Sequence, residues 1–232
     1  MNITIVIPTY NERENIALLI PKLAGVVPEA KILVVDDNSP DGTGALVCDL
    51  MSEYRNLAIL ARPSKEGLGK AYIEAFKQVL VDQTTEVVIM MDADGSHGPQ
   101  YLPAMLAKLN QAEVIVGSRY CVGGGTLGWE LWRRALSFCG NIYCRMITGI
   151  PITDCTGGFN VISTRFLRQV NLAVMDMSGY AFIMELKYLL YKTGARFVEV
   201  PIIFRNRIGG ESKLSGHIIS EGIIAPLKMR FK

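Results

Sequence analysis

Two carboxylates stand two residues apart directly after an apolar run. Asp92 and Asp94 follow the residues E-V-V-I-M-M, which are typical of a buried strand. Because side chains on an extended chain point the same way at every second residue, the two carboxylates would repel each other without compensation. A hard divalent cation removes that repulsion and accepts carboxylate and phosphate oxygens as ligands. The alternative is a pair of aspartates that ends a strand and caps a helix.

Further acidic and turn-forming residues follow two other predicted strands. P-T-Y-N-E comes after the first strand, and D-D-N-S-P-D-G-T after the second. Asp36 and Asp37 end the second strand, where a carboxylate can accept hydrogen bonds from a base or a ribose. Turn formation alone is the alternative, because Asn, Ser, Pro, Asp and Gly all favour turns. Acidic groups at neighbouring strand ends favour the metal-binding interpretation of the Asp92 pair.

Glycine-rich strings and scattered cations are weaker indications. Gly67-Leu-Gly-Lys70 resembles the start of a phosphate loop, but the third glycine is missing and no G-K-[ST] follows. The run 123–125 is expected to be a flexible loop that could close over a substrate. Six cations are candidates to offset the charge of a phosphate. Solvated surface charge is the alternative role for each of them, and the better one for Arg134. These cations are Arg119, Arg133, Arg134, Arg205, Arg207 and Lys213.

Short β-branched runs alternate with helical patterns through the first half of the chain. Strands are expected over 3–7, 31–35, 56–60, 86–91 and 113–117, with helices at about 12–24, 43–54, 67–80 and 99–110. The strands are almost continuously apolar, which predicts an α/β fold with a mostly parallel sheet flanked by helices. Ligands of such sheets bind at the carboxyl ends of the strands, where the acidic strings lie.

The second half has a different pattern. It predicts helices over 129–147 and near 178–193, a strand over 196–204, and a polar loop with the sequence R-N-R-I-G-G-E-S-K-L. No repeat and no linker-like stretch is present. We therefore expect a single domain over 1–232, with a nucleotide-binding half over 1–118 and an acceptor half over 119–232.

The composition excludes several classes of protein. The 232 residues are 50% hydrophobic and 20% charged, with a formal net charge of +2, which is unlike a disordered chain or a dedicated nucleic-acid binder. Five cysteines without a C-x-x-C pair disfavour a disulfide framework and favour a reducing compartment. With two histidines, a zinc site would need unusual ligands.

Neither a signal peptide nor a membrane span is expected. The N-terminus has no basic region, and no stretch approaches the roughly 18 apolar residues of a span. The segment 129–148 carries both tryptophans with arginines beside them, which suits a lipid-headgroup interface, although a core-facing helix is an equal alternative. The C-terminal string G-H-I-I-S-E-G-I-I-A-P-L-K-M-R-F-K is a second amphipathic candidate.

Six strings, taken together, resemble the successive motifs of polyprenol (dolichol) phosphate mannose synthases. They are P-T-Y-N-E-R-E-N, V-V-D-D-N-S-P-D-G-T, M-D-A-D-G-S-H, G-S-R-Y, D-C-T-G-G-F and R-I-G-G-E-S-K-L. That group belongs to the family 2 glycosyltransferases, which have a GT-A fold. The resemblance covers essentially the whole chain, with the motifs in order and at compatible spacing. The G-E-S-K-L string is what narrows the match from family 2 in general to this group.

The resemblance also implies roles for individual residues. A guanine nucleotide would be held by Pro8, Tyr10, Glu12, Val35 and Asp37. The cation on the diphosphate, Mg²⁺ or Mn²⁺, would be bound by Asp92 and Asp94, which flank Ala93, with Ser96 as a further ligand. Sugar and phosphate groups would be handled by Arg119, Arg207 and Lys213. The catalytic residues would be Asp94, Arg119 and Lys213, while Arg133 is a weaker candidate for the lipid phosphate.

The implied activity is metal-dependent transfer of mannose, with inversion, from GDP-mannose to a polyprenyl (dolichyl) monophosphate. A phosphomonoester has a second pKa of about 6 and is already anionic, so no strong base is required. Asp154 is either a base or a turn residue, and His97 is expected in a turn. Asn160, which replaces a basic residue usual after G-G-F, implies altered binding of the acceptor phosphate.

The implied partners follow from the same resemblance. We expect a peripheral protein at the cytoplasmic face of a membrane, bound to the surface directly or through a small membrane partner, with no nucleic acid. Two alternatives remain. One is a glucosyl- or other hexosyltransferase that uses a UDP-sugar with a polyprenyl phosphate. The other is a non-catalytic nucleotide-binding adaptor.

Overall fold

The computed structural model describes residues 1–175, 177, 179–205 and 216–231. Its strands are β1 (Ile3–Thr9), β2 (Lys31–Asp36), β3 (Leu57–Ala61), β4 (Val87–Met90), β5 (Val114–Ser118), β6 (Gly125–Leu127), β7 (Asn160–Ser163), β8 (Phe197–Pro201) and β9 (Ile203–Arg205). Its helices are α1 (Arg13–Val26), α2 (Thr43–Leu50), α3 (Leu68–Val81), α4 (Leu102–Leu106), α5 (Leu131–Thr148), α6 (Thr164–Leu167), α7 (Gly179–Lys192) and α8 (Gly216–Phe231). Short 3₁₀ turns cover Pro99–Tyr101 and Leu172–Val174.

Seven strands form one sheet in the order β3-β2-β1-β4-β7-β5-β8. Every neighbouring pair is parallel except the two that involve β7, which runs antiparallel to both β4 and β5. The strands β6 and β9 form a separate parallel pair. The expected mostly parallel sheet is therefore confirmed, and the carboxyl ends of β1, β2 and β4 lie side by side at one edge.

The core consists of two apolar layers, one on each face of the sheet. Side chains alternate between the faces along each strand, so Ile5 and Ile89 enter one layer while Val6 and Val88 enter the other. The helices α1 and α2 cover the first layer, and α3, α7 and α8 cover the second. Burial on both faces explains why these strands are almost continuously apolar.

Several elements differ from those expected. The helices predicted over 43–54 and 99–110 end at Leu50 and Leu106, and the second begins as a 3₁₀ turn. The strand predicted over 196–204 ends at Pro201, because the chain then changes its partner from β5 to β6. The Ile202 carbonyl accepts the Gly125 N–H at 3.0 Å, and the chain continues as β9. In the glycine run 123–125, expected to be a flexible loop, the last residue is the first of β6, while 123 and 124 lie in the turn before it. The strand β7 was not predicted, because its four residues follow a polar, glycine-rich string.

The G-L-G-K string begins α3 and has a packing role. Gly67 has a φ of +97°, a conformation that favours glycine. A Cβ atom on Gly69 would lie 2.9 Å from the Met177 carbonyl oxygen and 3.1 Å from the Phe182 ring. The second glycine thus lets α3 approach α7 and the segment before it closely.

Replacement of Gly69 by alanine is expected to destabilise the fold. Overpacking costs about 1–3 kcal/mol, which exceeds the gain of about 1 kcal/mol in helix propensity. Gly25→Ala in α1 is the matched control, because a Cβ there meets nothing within 4 Å, and it should stabilise slightly. Urea unfolding followed by circular dichroism measures both changes. A Gly69→Ala variant as stable as the parent protein would contradict the packing role.

Candidate active site

Asp36 joins the turns that follow β1 and β2. Its buried carboxylate accepts hydrogen bonds from the Thr9 hydroxyl at 3.0 Å and from the Ser39 N–H at 3.0 Å. The Ser39 hydroxyl, which donates to the same carboxylate at 2.5 Å, accepts the Asn11 N–H at 3.0 Å. Asn11 has a φ of +59°, so the turn after β1 depends on this support. Of the two adjacent aspartates, Asp36 is therefore the structural one.

Asp37 is held by an arginine that the sequence analysis missed. The buried Arg62 guanidinium donates to the Asp37 carboxylate, and its Nε donates to Glu74 at 2.8 Å. The Arg62 N–H also donates to the Asp36 carbonyl at 2.8 Å, which fixes the residue beside the end of β2. Arg62 directly follows β3, so the strand-end rule that singled out Asp37 would also have found it.

The other residues expected to hold a nucleotide lie at the same edge. Pro8 and Val35 are partners in the register of β1 and β2. Tyr10 follows β1, and the Lys65 ammonium lies over its ring at 3.8 Å from the centroid. Glu12 comes directly before α1. The structure thus brings Pro8, Tyr10, Glu12, Val35 and Asp37 to the carboxyl ends of two adjacent strands.

Asp92 and Asp94 lie in the turn directly after β4. Asp94 is buried, and one of its oxygens accepts the Ser96 N–H at 3.0 Å and the Ser96 hydroxyl at 2.6 Å. The side chain of Asp92 is 38% exposed. Gly95 has a φ of +77°, which turns the chain between Asp94 and Ser96. Ala93 is buried between the two aspartates.

The donor set of this turn fits a hard cation. It offers two carboxylates and a hydroxyl, all oxygen ligands of the kind that Mg²⁺ and Mn²⁺ prefer. Over the ranges that the structure describes, no three His, Cys, Asp or Glu side chains cluster in a way that could hold a metal alone. Mg²⁺ in phosphate-transfer sites is commonly bound by one or two carboxylates with substrate phosphates and water, so two protein carboxylates suffice.

His97 has the turn role expected of it. The buried ring stacks on Phe159 at 5.1 Å and meets the edge of Phe204 at 5.6 Å. Its Nδ1 accepts the Asp92 N–H at 2.9 Å, so that nitrogen carries no proton. His97 therefore fixes the backbone of the D-x-D turn. The loop that leads into β7 approaches this turn at Gly158, where a Cβ would lie 3.8 Å from both Asp92 carboxylate oxygens.

Arg119 follows β5 and is clamped by Asp154. Its Nε donates to one carboxylate oxygen at 2.8 Å and its Nη2 to the other at 2.7 Å. The backbone N–H of Arg119 donates to Asp154 as well, at 3.0 Å. Nη2 also donates to the Thr156 hydroxyl at 2.8 Å. This bidentate contact fixes the plane of the guanidinium.

Asp154 is fully buried and serves as the clamp. Burial acts to raise the pKa of Asp154, but the Arg119 guanidinium outweighs it and lowers that pKa to about 2. The Lys187 ammonium donates to the carbonyls of Asp154 and Gly157, each at 2.9 Å, and burial lowers the pKa of Lys187 to about 8. A carboxylate with so low a pKa is a poor base, so of the two interpretations left open for Asp154 the geometry favours the structural one.

Aromatic rings surround the Arg119 guanidinium. The rings of Tyr120, Trp129 and Phe204 lie 5.3, 5.5 and 5.5 Å from its central carbon, and Arg133 lies over Trp129 at 4.2 Å. Three buried polar atoms in this cluster have no hydrogen-bond partner among the described residues: Tyr120 Oη, Trp129 Nε1 and Arg133 Nε. Such atoms are costly unless a partner satisfies them, so the cluster has the hydrogen-bonding capacity to bind oxygen-rich groups.

Of the other predicted cations, Arg134 and Arg205 are among the described residues. Arg207 and Lys213 lie outside the described residues, and Arg134 is exposed on α5. Arg205 is exposed at the end of β9. Asn160 is buried and donates to the Gly157 carbonyl at 3.1 Å, so it supports the loop before β7.

The helices α5 and α8 pack together and expose apolar side chains. The Tyr143 hydroxyl donates to the Ile223 carbonyl at 2.9 Å across their contact. We define the α5–α8 surface by their exposed apolar residues: Leu131, Trp132, Leu136, Phe138, Ile142, Met146, Ile223, Ile224, Leu227 and Phe231. Exposed Arg134, Arg145, Lys228 and Arg230 lie on the same helices. This outward apolar face favours the lipid-interface interpretation over a core-facing helix. In the part of the chain that is described, no helix has the length and apolarity to cross a membrane.

Comparison with known sequences identifies related proteins. Residues 4–170 match the sequence profile of the family described as Glycosyl transferase family 2. An undecaprenyl-phosphate mannosyltransferase of Micrococcus luteus is 39% identical over 224 residues, covering 97% of this chain and 92% of that protein. A polyprenol monophosphomannose synthase of Mycolicibacterium smegmatis is 40% identical over 221 residues, covering 94% of this chain and 83% of that protein.

Solved structures share the fold at low identity. Glucosyl-3-phosphoglycerate synthase from Mycobacterium tuberculosis, in complex with Mn²⁺, UDP-glucose and phosphoglyceric acid, has a TM-score of 0.70 at 16% identity, covering 99% of this chain and 80% of that one. A mannosyltransferase from Pyrobaculum calidifontis, in complex with GDP-Man and Mn²⁺, has a TM-score of 0.60 at 15% identity, covering 90% of this chain and 57% of that one. The sheet and its flanking helices are therefore the expected GT-A-like fold.

Asp154→Asn is expected to lower the free energy of unfolding by about 3–5 kcal/mol at pH 7, because it leaves the buried Arg119 charge unpaired. With its pKa lowered to about 2, Asp154 stabilises the fold fully above its ordinary pKa of 3.8. That contribution is lost as the pH falls through about 2, so the difference between parent and variant should shrink below pH 4.

Urea unfolding at pH 7, 4 and 2.5 measures this difference. Glu113→Gln is the control, since it breaks an exposed pair with Arg196, joined at 2.6 Å, and should cost less than about 1 kcal/mol. An Asp154→Asn variant no less stable than this control would contradict the clamp.

Proposed function

The chain belongs to glycosyl transferase family 2, and we propose that within this family it transfers mannose from GDP-mannose to a polyprenyl (dolichyl) monophosphate. The observation that carries the proposal is the approach of two loops at one sheet edge. The D-x-D turn bears Asp92 and Asp94, and the loop through Gly158 reaches it, with a Cβ at Gly158 placed 3.8 Å from the Asp92 carboxylate. The same loop clamps Arg119. A metal-diphosphate group and an acceptor phosphate would meet between them.

The names of the two relatives support the substrate class. One is an undecaprenyl-phosphate mannosyltransferase and the other a polyprenol monophosphomannose synthase, and each aligns with more than nine-tenths of this chain. The proposed division of the domain follows: residues 1–118 bind the nucleotide and 119–232 the acceptor. A UDP-sugar donor is the competing possibility.

The nucleotide would lie on the strand ends that carry Pro8, Tyr10, Glu12, Val35 and Asp37. Asp37 is an acceptor that Arg62 holds in place, and guanine presents amino and imino N–H donors to such a carboxylate. The Tyr10 ring offers a stacking surface beside it. Arg207 and Lys213 are retained as proposed contacts to the phosphates and, for Lys213, to the reacting centre.

Asp92 and Asp94 would hold Mg²⁺ or Mn²⁺, with Ser96 beside Asp94 as a third oxygen ligand. The cation, when bound, offsets the negative charge that develops on the departing diphosphate. The 2.6 Å hydrogen bond from the Ser96 hydroxyl orients the Asp94 carboxylate, and His97 fixes the backbone at Asp92. These residues thus hold two carboxylates ready before any substrate binds.

The acceptor phosphate would bind at the aromatic cluster around Arg119. Arg119 and Arg133 supply positive charge there. The Tyr120 hydroxyl and the Trp129 N–H, which have no hydrogen-bond partner in the described part of the chain, supply donors. A phosphate oxygen attacks the anomeric carbon, a new carbon–oxygen bond forms, and the bond to GDP breaks on the opposite side with inversion. The phosphate is already anionic near neutral pH, so no base is needed and Asp154 stays paired with Arg119.

The protein would reach its lipid acceptor by lying on a membrane through the α5–α8 surface. Apolar side chains enter the interface while Arg134, Arg145, Lys228 and Arg230 meet anionic headgroups. The cytoplasmic face is the proposed side, since nucleotide sugars and reduced thiols belong to that compartment. A small membrane partner on the same surface is the alternative.

Asp94→Ala is expected to lower mannose transfer at least about a hundredfold, because charge stabilisation by a metal is worth several kcal/mol. The assay follows labelled mannose from GDP-mannose to a short polyprenyl phosphate. A chelator should abolish the parent activity, and Mn²⁺ or Mg²⁺ should restore it. Asp49→Asn, on the exposed side of α2, is the control and should leave transfer unchanged.

UDP-glucose serves as the competing donor in the same assay. Transfer from UDP-glucose alone would overturn the donor while leaving metal-dependent transfer to the lipid phosphate in place. Transfer from neither donor would contradict the proposed reaction and favour a nucleotide-binding role.

Replacement of Met146 and Phe231 together by serine is expected to weaken membrane binding at least about tenfold, since both side chains are apolar and exposed, at 78% and 83%. Sedimentation with vesicles of phosphatidylcholine and phosphatidylglycerol measures the effect. Val81→Ser is the control, because Val81 is 80% exposed but belongs to α3. Equal binding by parent and double variant would contradict this surface.

A further inference from the structure

Asn141 joins the inner face of α5 to the loop 153–157. The side chain is 2% exposed, and its Oδ1 accepts the N–H groups of Cys155 at 2.7 Å and Thr156 at 3.1 Å. Its Nδ2 donates to the Ser137 carbonyl at 2.8 Å and to the Thr156 hydroxyl at 3.2 Å. All four hydrogen-bonding positions of the amide are used, two of them on loop backbone.

The Thr156 hydroxyl connects this amide to the site. It accepts from Asn141 Nδ2 at 3.2 Å and from Arg119 Nη2 at 2.8 Å. One oxygen atom therefore touches both a side chain of α5 and the guanidinium that the site uses. A change in the position of α5 would therefore alter the orientation of Arg119 through two hydrogen bonds.

The other supports of the loop come from elements of the core. Lys187 of α7 donates to the carbonyls of Asp154 and Gly157. Glu199 of β8 accepts the N–H groups of Thr153 at 2.9 Å and Asp154 at 3.0 Å. Lys187 is 1% exposed, and β8 is the last strand of the sheet, whereas α5 has an exposed apolar outer face. Of these three supports, α5 is thus the one that a lipid surface would contact.

We propose that Asn141 is a positioning residue. Through the Thr156 hydroxyl, it couples the position of α5 on a lipid surface to the orientation of the Arg119 guanidinium. The inference rests on the proposed function and adds to it a reason for lipid to accelerate transfer. Contact with lipid holds α5 in place, Asn141 holds the loop, and Thr156 with Asp154 holds Arg119. The lipid then acts on the rate even when the acceptor is not in the membrane.

A short, water-soluble prenyl phosphate separates this effect from delivery of the acceptor. Transfer is measured with and without added phosphatidylcholine–phosphatidylglycerol vesicles that contain no acceptor. For the parent protein, kcat is expected to rise several-fold with vesicles while the KM for GDP-mannose stays constant.

Thr156→Val is the central variant, because it removes the bridging oxygen and keeps the shape of the side chain. It should lower kcat about tenfold, as expected for a lost hydrogen bond to a charged group, and abolish the stimulation. Thr156→Ser restores the oxygen and should recover the stimulation. Thr193→Val, whose hydroxyl donates to the Leu190 carbonyl at 2.7 Å on α7, is the control with unchanged activity.

A double-mutant cycle tests whether the two residues act as one unit. The pair Asn141→Ala with Thr156→Val should lose no more than the worse single variant, and each protein should bind vesicles as the parent does. The coupling would be overturned if the loss of kcat in the double variant equalled the product of the two single losses. It would also be overturned if vesicles still stimulated the Thr156→Val variant.

The outcome for the parent protein separates this inference from the proposed function. Mannose transfer that vesicles do not accelerate would overturn the coupling and leave the proposed function in place. Absence of transfer from GDP-mannose under every condition would overturn both.

Discussion

The buried ion pair between Arg119 and Asp154 is the interaction on which most of the site depends. Neither charge has appreciable contact with water, so each would be strongly destabilising without the other. The pair is tolerated because the Asp154 carboxylate accepts hydrogen bonds from the Arg119 guanidinium, from the Arg119 backbone N–H and, at 2.9 Å, from the Gly157 N–H. The loop 153–157, which must hold the Asp154 carboxylate and the Gly157 N–H in these positions, has little conformational freedom. The elements around it are therefore constrained to supply partners for the rest of its backbone.

The antiparallel strand β7 is what brings this loop to the D-x-D turn of Asp92 and Asp94. It lies between β4 and β5 and runs opposite to both, so its first residue lies at the edge where the parallel strands end. Asn160 pairs with Met90 of β4 and with Val116 of β5, and the chain before it continues past the ends of both strands. The loop 153–157 thus reaches Arg119 after β5, and Gly158 reaches Asp92 after β4. The four residues of β7 thus bring two parts of the site together.

The strand-end rule explains what could be predicted from the sequence and what could not. Buried parallel strands have a strong local pattern, so β1, β2, β4 and the acidic turns after them were predictable, including Asp37 and the D-x-D pair. Residues whose roles depend on partners distant in the sequence were not predictable. Lys187 lies in a helical pattern where a lysine is normally at the surface, yet it is 1% exposed and serves two carbonyls of the loop. Asn141 carries no local indication of the loop that it meets.

The orientation of α5 follows from the same hydrogen-bond demand. The periodic pattern of 129–148 shows that the helix has two unlike faces, but it cannot say which one is buried. The loop around Asp154 presents N–H groups that need acceptors, and an amide on α5 satisfies two of them, so the polar side of the helix faces inward. Its apolar side is left outside, where it would be unfavourable in water and favourable at a lipid surface. The charge pair that organises the site thereby also determines which face of α5 is exposed, and this is the face that the proposed function places at a membrane.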